Sequence, residues 1–122
     1  MTELERLYDT MGELLYAIAM ADGEIQPEEL TTLDEVLKGH PWAEAAKWSF
    51  NYEKGKNSDV DTTYQKVIAA CHAYGPSPIY NDFISAMTKV AEAVGGIDPN
   101  EEKIINNFSK DLTERFQKDT HQ

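Results

Sequence analysis

Carboxylates gathered around a glycine turn are the residues of this chain best suited to chemistry, and they occur twice. One copy reads Ala21-Asp22-Gly23-Glu24-Ile25-Gln26-Pro27-Glu28-Glu29, the other Ala93-Val94-Gly95-Gly96-Ile97-Asp98-Pro99-Asn100-Glu101. A single constant offset superposes Ala21 on Ala93, Gly23 on Gly95, Ile25 on Ile97, Pro27 on Pro99 and Glu29 on Glu101. Carboxylate oxygens and turn carbonyls are the ligands hard divalent cations prefer. Asp22 and Glu29 in the first copy, with Asp98 and Glu101 in the second, are therefore candidate ligands for Ca²⁺, Mg²⁺ or Mn²⁺, and Glu24 and Glu28 lie close to the first turn. The competing role for these acids is capping: a carboxylate in the first turn of a helix interacts favourably with its macrodipole by a few tenths to about 1 kcal/mol.

The spacing Asp, Gly, Ile, Glu matches the second half of an EF-hand loop. Such a loop also needs oxygen ligands at its first and third positions. In the first copy these fall on Ile18 and Met20, and in the second on Val90 and Glu92. Neither copy is an EF-hand.

Other reactive residues are scattered. Adjacent residues on a helix point to different faces, so Cys71 and His72 form neither a chelate nor a nucleophile–base pair, and Cys71 reads as a core residue. His40-Pro41-Trp42 lacks the aspartate of a J-domain tripeptide, and His121 lies in the tail. Trp42, Trp48, Tyr52, Tyr64, Tyr74 and Tyr80 are candidates for an aromatic-lined groove. Trp42 and Trp48, six residues apart, do not share one narrow helical stripe, which predicts exposure in the 42–52 region. The chain has no phosphate-binding glycine loop, catalytic serine elbow or basic nucleic-acid patch.

The elements that position these turns are helical. Leu4, Leu7, Tyr8, Met11, Leu14, Leu15 and Ile18 recur at steps of three and four, predicting a helix from Glu3 to Ala21. Gly23 stops it, Ile25 tucks back, and Pro27 starts a helix striped by Leu30, Leu33, Val36 and Leu37. A third helix begins at Pro41, with Trp42, Ala45, Ala46 and Phe50 inward. The polar segment Asn51–Asp59 reads as a loop. A fourth helix carries Val60, Tyr64, Val67, Ile68 and Cys71, and Gly75-Pro76-Ser77-Pro78 breaks it. Ile79, Phe83, Met87, Val90 and Val94 mark the fifth, ending at Gly95-Gly96. Asp98 as N-cap, Pro99 at N1 and Glu101 at N3 open the last, lined by Ile104, Ile105, Phe108, Leu112 and Phe116, with fraying expected beyond Gln117. No segment alternates as a strand does. The expectation is one all-α domain spanning residues 1–122, a compact bundle of six to seven helices. Its two hinged helix pairs pack about a pseudo-two-fold, with residues 41–75 filling the middle.

At 122 residues the chain buries enough surface to fold without disulfide or metal. One cysteine and a start, Met1-Thr2-Glu3, lacking a basic leader point to the cytoplasm, and no apolar run reaches the roughly 20 residues of a membrane span. With 22 acids against 11 bases the net charge is −11. That disfavours nucleic acid and anionic membranes, and favours cations or basic protein partners. Between Leu7 and Leu37 there are eight acids and no Lys or Arg. Such a run ordinarily forms a solvated face.

The paired motif, Ala-Asp-Gly-x-Ile-x-Pro-x-Glu and Gly-Gly-Ile-Asp-Pro-x-Glu, resembles the TerB family, which includes tellurite-resistance TerB proteins and the N-terminal domain of DjlA-type co-chaperones. The similarity runs from Leu14 to Phe108. The resemblance implies a bundle of about seven helices with internal two-fold symmetry, an acidic face that binds divalent cations, and a role as an interaction module in stress-response assemblies near the membrane. It carries Asp22, Glu29 and Glu101 over as site residues. Where the family has an acid in the second turn this chain has Val94, with Asp98 nearby.

The leading expectation is a non-catalytic module presenting an acidic, cation-binding surface to a protein partner, with no cofactor required. One alternative is a small-ligand binder or enzyme built on the aromatic middle region with carboxylates as acid–base groups. The other is a purely structural domain whose turns are helix stops. One cysteine and an acidic surface leave direct tellurite chemistry without its usual thiol or cationic groups.

Overall fold

A computed structural model describes residues 3–21, 23–41, 43–94 and 99–120. Its elements are α1 (Glu3–Ala19), α2 (Pro27–Leu37), α3 (Ala43–Lys56), α4 (Val60–Tyr74), α5 (Ile79–Ala91), a 3₁₀ turn (Glu92–Val94) and α6 (Pro99–Thr120). Among the described residues there is no strand, so the chain is an all-α bundle. The internal repeat has a structural counterpart. The offset that aligns the two sequence copies also carries the last residue of α1, Ala19, onto the last of α5, Ala91, and the first of α2, Pro27, onto the first of α6, Pro99.

The centre of the bundle is α1, rather than the segment 41–75 that the sequence suggested. It packs on α3, α4, α5 and α6, and six successive residues from Leu14 to Ala19 are buried. A helix enclosed on all sides needs small residues where neighbours approach, and Gly12, Ala17 and Ala19 supply them. At Gly12 the approach is extreme. A Cβ built there would stand 2.0 Å from the Ala46 carbonyl oxygen of α3. The two hinged pairs meet through α5, against which both α1 and α2 pack, while α6 closes on α1, α4 and α5. Phe83 and Phe108 pair at 6.4 Å between ring centroids, with the Tyr80 ring edge-on to both.

Local chemistry explains where the helices stop and start. α1 ends two residues short of Ala21, and Gly23 turns the chain with φ of +94°, a conformation that costs a side-chain-bearing residue about 1 kcal/mol. α2 opens with Pro27 at N1, and its Glu29 carboxylate reaches back to accept the Gln26 backbone N–H at 2.9 Å. Asp59 caps α4, accepting from the Thr62 N–H at 2.8 Å and its hydroxyl at 2.9 Å. The α4–α5 corner is closed by the Tyr80 hydroxyl, which donates to the Gly75 carbonyl at 2.7 Å and the Cys71 carbonyl at 2.9 Å.

Residues 51–56 correct the sequence reading. They are not loop but the last turns of α3, with Gly55 inside the helix. The inward face of α3 is Ala46, Ser49, Phe50 and Glu53, half of it polar, which hides the usual apolar periodicity. Glu53 is held by the Ser58 hydroxyl and by Lys66 Nζ at 3.4 Å, and this polar anchorage keeps the turn helical. At the other end α3 begins at Ala43, and Pro41 belongs to the preceding turn. The final helix runs on through Thr120, past the fraying point suggested at Gln117.

Candidate functional site

The N3 positions of the two repeat-turn helices are occupied by Glu29 and Glu101, and each is only 1% exposed. Ionised carboxylates are expensive to withdraw from water unless hydrogen bonds or opposite charge compensate them. For Glu29 part of that compensation is the Gln26 N–H, a capping-box contact the sequence signalled only in the second copy. Both carboxylates also meet the positive end of a helix dipole and engage further polar or electrostatic contacts. Two equivalent acids, one from each copy of the repeat, are thus drawn inward at equivalent helix starts.

The described acids around the first turn differ in exposure. Glu24 and Glu28 are exposed while Glu29 is buried. Neighbouring positions on a helix diverge by about 100°, so turning Glu29 inward to cap directs Glu28 outward. Among the described residues no group of three or more His, Cys, Asp or Glu side chains is arranged to hold a metal ion. Asp22 and Asp98, the remaining candidate ligands, lie outside the described residues, as do Gly95, Gly96 and Ile97 of the second turn. Glu29 and Glu101 are the members of the candidate set whose positions are defined.

Two parts of the acidic run from Leu7 to Leu37 differ in kind. On α2, Glu28, Asp34 and Glu35 face solvent, with Asp34 bridged to Lys47 of α3 at 2.8 Å. On α1, Glu13 is instead drawn inward, bridging Lys66 at 3.2 Å. Lys66 also meets Glu53, and the Tyr16 hydroxyl donates to the Ser58 carbonyl at 2.7 Å. Burial, the largest influence, pushes the Glu13 carboxyl above its ordinary range. Lys66 pulls it back, and Glu53 and Asp9 add to the rise. This polar clamp joins α1, α3 and α4. The sequence signal for it was slight: Glu13 interrupts an apolar run, and Glu53 sat in an apparent loop.

The aromatic residues of the middle region do not line one groove. Tyr64 and Tyr80 are buried and Tyr74 is half-buried, whereas Trp48 and Tyr52 are 65% and 50% exposed. Trp42 lies outside the described residues. Tyr64 instead ties α4 to α6 by donating to Asp111 Oδ2 at 2.8 Å. It borders an open polar cleft of about 520 Å³ with Asp59, Asp61, Asn100, Lys103 and Asn107 on its rim. Cys71 is wholly buried and its thiol is pushed up to about 12 by burial, so it is inert packing rather than a nucleophile.

An acidic all-α bundle with a duplicated glycine–proline turn, each copy opening a helix with a buried N3 glutamate, is the class of protein these features define. Residues 9–113 match the family model for tellurite resistance protein TerB, and the chain belongs to the TerB family. Comparison with curated proteins and with solved structures gives no match. Among the described residues no helix is long and apolar enough to cross a membrane.

Proposed function

We propose that this TerB-family chain is a non-catalytic cytoplasmic interaction module of stress-response assemblies. It presents the exposed acids of α2 to a basic protein partner. A divalent cation, Ca²⁺, Mg²⁺ or Mn²⁺, is held at the repeated turns by Asp22 and Glu29, and by Asp98 and Glu101. The observation that supports the cation site is the paired burial of Glu29 and Glu101. An acid turned inward at the equivalent position of both copies, with a second acid, Asp22 or Asp98, in the sequence of the same turn, supports a cation shared between carboxylates there. The partner surface is supported by Glu28 and Glu35, which lie outward on one short helix that itself carries no base, beside Asp34 with its bridge to Lys47 of α3.

The partner surface is tested with a lysine-rich peptide as probe, titrated into the parent chain and two variants of equal charge. Glu28→Gln with Glu35→Gln should weaken binding several-fold. Asp61→Asn with Glu102→Gln, which removes two exposed acids elsewhere, should leave it nearly unchanged. Equal weakening in both would show that only the overall field of −11 attracts the peptide, and the α2 surface would be discarded.

A further inference from the structure

The outer face of α3 carries a single ridge of side chains, Glu44, Trp48, Tyr52 and Lys56, spaced four residues apart and all exposed. Its middle is aromatic. Trp48 and Tyr52 stack with ring centroids 5.3 Å apart and planes 10° from parallel, and Lys56 Nζ lies 5.0 Å from the Tyr52 ring centroid. They are the large apolar side chains left exposed among the described residues. The ridge is also rigidly mounted, because the opposite face of α3 buries Ala46, Ser49, Phe50 and Glu53 against the bundle.

We propose that this ridge is the docking surface for a second copy of the chain, in an antiparallel α3–α3 homodimer. The argument is charge complementarity. The ridge bears an acid at its N-terminal end, a base at its C-terminal end and two aromatic residues between. A two-fold axis passing between Trp48 and Tyr52 sets Trp48 of each copy against Tyr52 of the other. The same axis sets Glu44 of each copy opposite Lys56 of the other, so every group on the ridge meets its complement. Isologous contacts of this kind are the commonest route to a closed dimer. Parallel pairing would oppose Glu44 to Glu44 and Lys56 to Lys56, and the aligned helix dipoles would add to the repulsion. Ridges of residues four apart interdigitate in the commonest class of helix packing, with axes crossing at about 50°.

A contact made by one 14-residue helix from each copy is at the small end of specific interfaces, and both copies carry −11. The dimer is therefore weak, and it forms best where salt screens the overall repulsion while the desolvated aromatic contact persists. At about 0.15 M ionic strength the screening length is about 8 Å.

Sedimentation equilibrium of the full chain in that salt, from micromolar to near-millimolar protein, tests the proposal. The parent should show a reversible monomer–dimer equilibrium. Trp48→Ala with Tyr52→Ala should weaken it by about tenfold or more, as loss of central aromatic anchors does. Both sites are exposed, so an unchanged circular dichroism spectrum should accompany the loss. Glu44→Lys and Lys56→Glu should each weaken the dimer, and the double exchange should restore it, which only antiparallel pairing allows. A chain that stays monomeric throughout the range overturns the proposal and leaves the ridge to a different protein. A dimer indifferent to the aromatic pair, or not restored by the double exchange, overturns it equally.

Discussion

Replacing Gly12 by alanine tests how closely α1 and α3 must approach. The added Cβ would lie 2.0 Å from the carbonyl oxygen of Ala46, and 2.8 Å from both its carbonyl carbon and the Ser49 Cβ. Ordinary contact begins at 3.4 Å, so all three atoms stand well inside it and the carbonyl oxygen furthest of all. Two of these atoms are backbone and the third is fixed to it, so no side-chain rotation relieves the clash and the helices must part. Overpacking of a close-packed interior costs typically 1–3 kcal/mol, and a backbone-on-backbone clash belongs at or above the top of that range, about 3 kcal/mol. Alanine returns part of this, about 0.5–1 kcal/mol, through its better helix propensity. The net loss of about 2 kcal/mol or more should lower Tm by roughly 6–10 °C in a chain of this length. Thermal and urea unfolding followed by circular dichroism provide the measurement. A Gly12→Ala chain as stable as the parent, or more stable, would show that propensity outweighs packing and refute the close approach.

Glu13→Gln should stabilise the fold at pH 7, because the Glu13 carboxyl titrates above its ordinary value of 4.5 and its ionised form is disfavoured in the folded state. The cost of ionised Glu13 is absent below 4.5 and fully present above the raised value, so urea unfolding of parent and variant should converge as pH falls to 4.5. Cys71 should resist iodoacetamide at pH 8 in the folded chain and react promptly in denaturant, as its thiol is pushed up to about 12; rapid native labelling would contradict its burial. Gly23→Ala meets nothing within 4 Å, so its cost is conformational alone, about 1 kcal/mol by urea unfolding.

What the sequence made legible was set by strong local signals. Pro27 and Pro99 open their helices as read, and the apolar stripes of α1, α4 and α5 mark buried faces. The burial of Cys71 and the exposure in the 42–52 region were also readable, the latter from two tryptophans that no single stripe accommodates. Missed features depend on tertiary partners. Residues 51–56 are helical because Ser58 and Lys66 hold Glu53, contacts with no local signature. Tyr16, Ala17 and Ala19 lie off the apolar stripe of α1, and they are buried because four helices surround it. Composition assigned Glu13 to a solvated run, whereas Lys66, three helices further along the chain, draws it inward. At the site, the repeated turn and its offset were plain. The inward rotation of Glu29 away from Glu24 and Glu28 was not, because a first-turn acid serves equally well facing solvent.

The cation site is tested most directly by calorimetric titration of the chelator-treated chain with Ca²⁺, Mg²⁺ and Mn²⁺, alongside the Asp22→Asn, Glu29→Gln variant. Saturable binding of one of these cations by the parent, lost in the variant, is the predicted result. Absence of binding in the parent, or binding unchanged in the variant, would contradict it and leave Glu29 and Glu101 as buried helix caps.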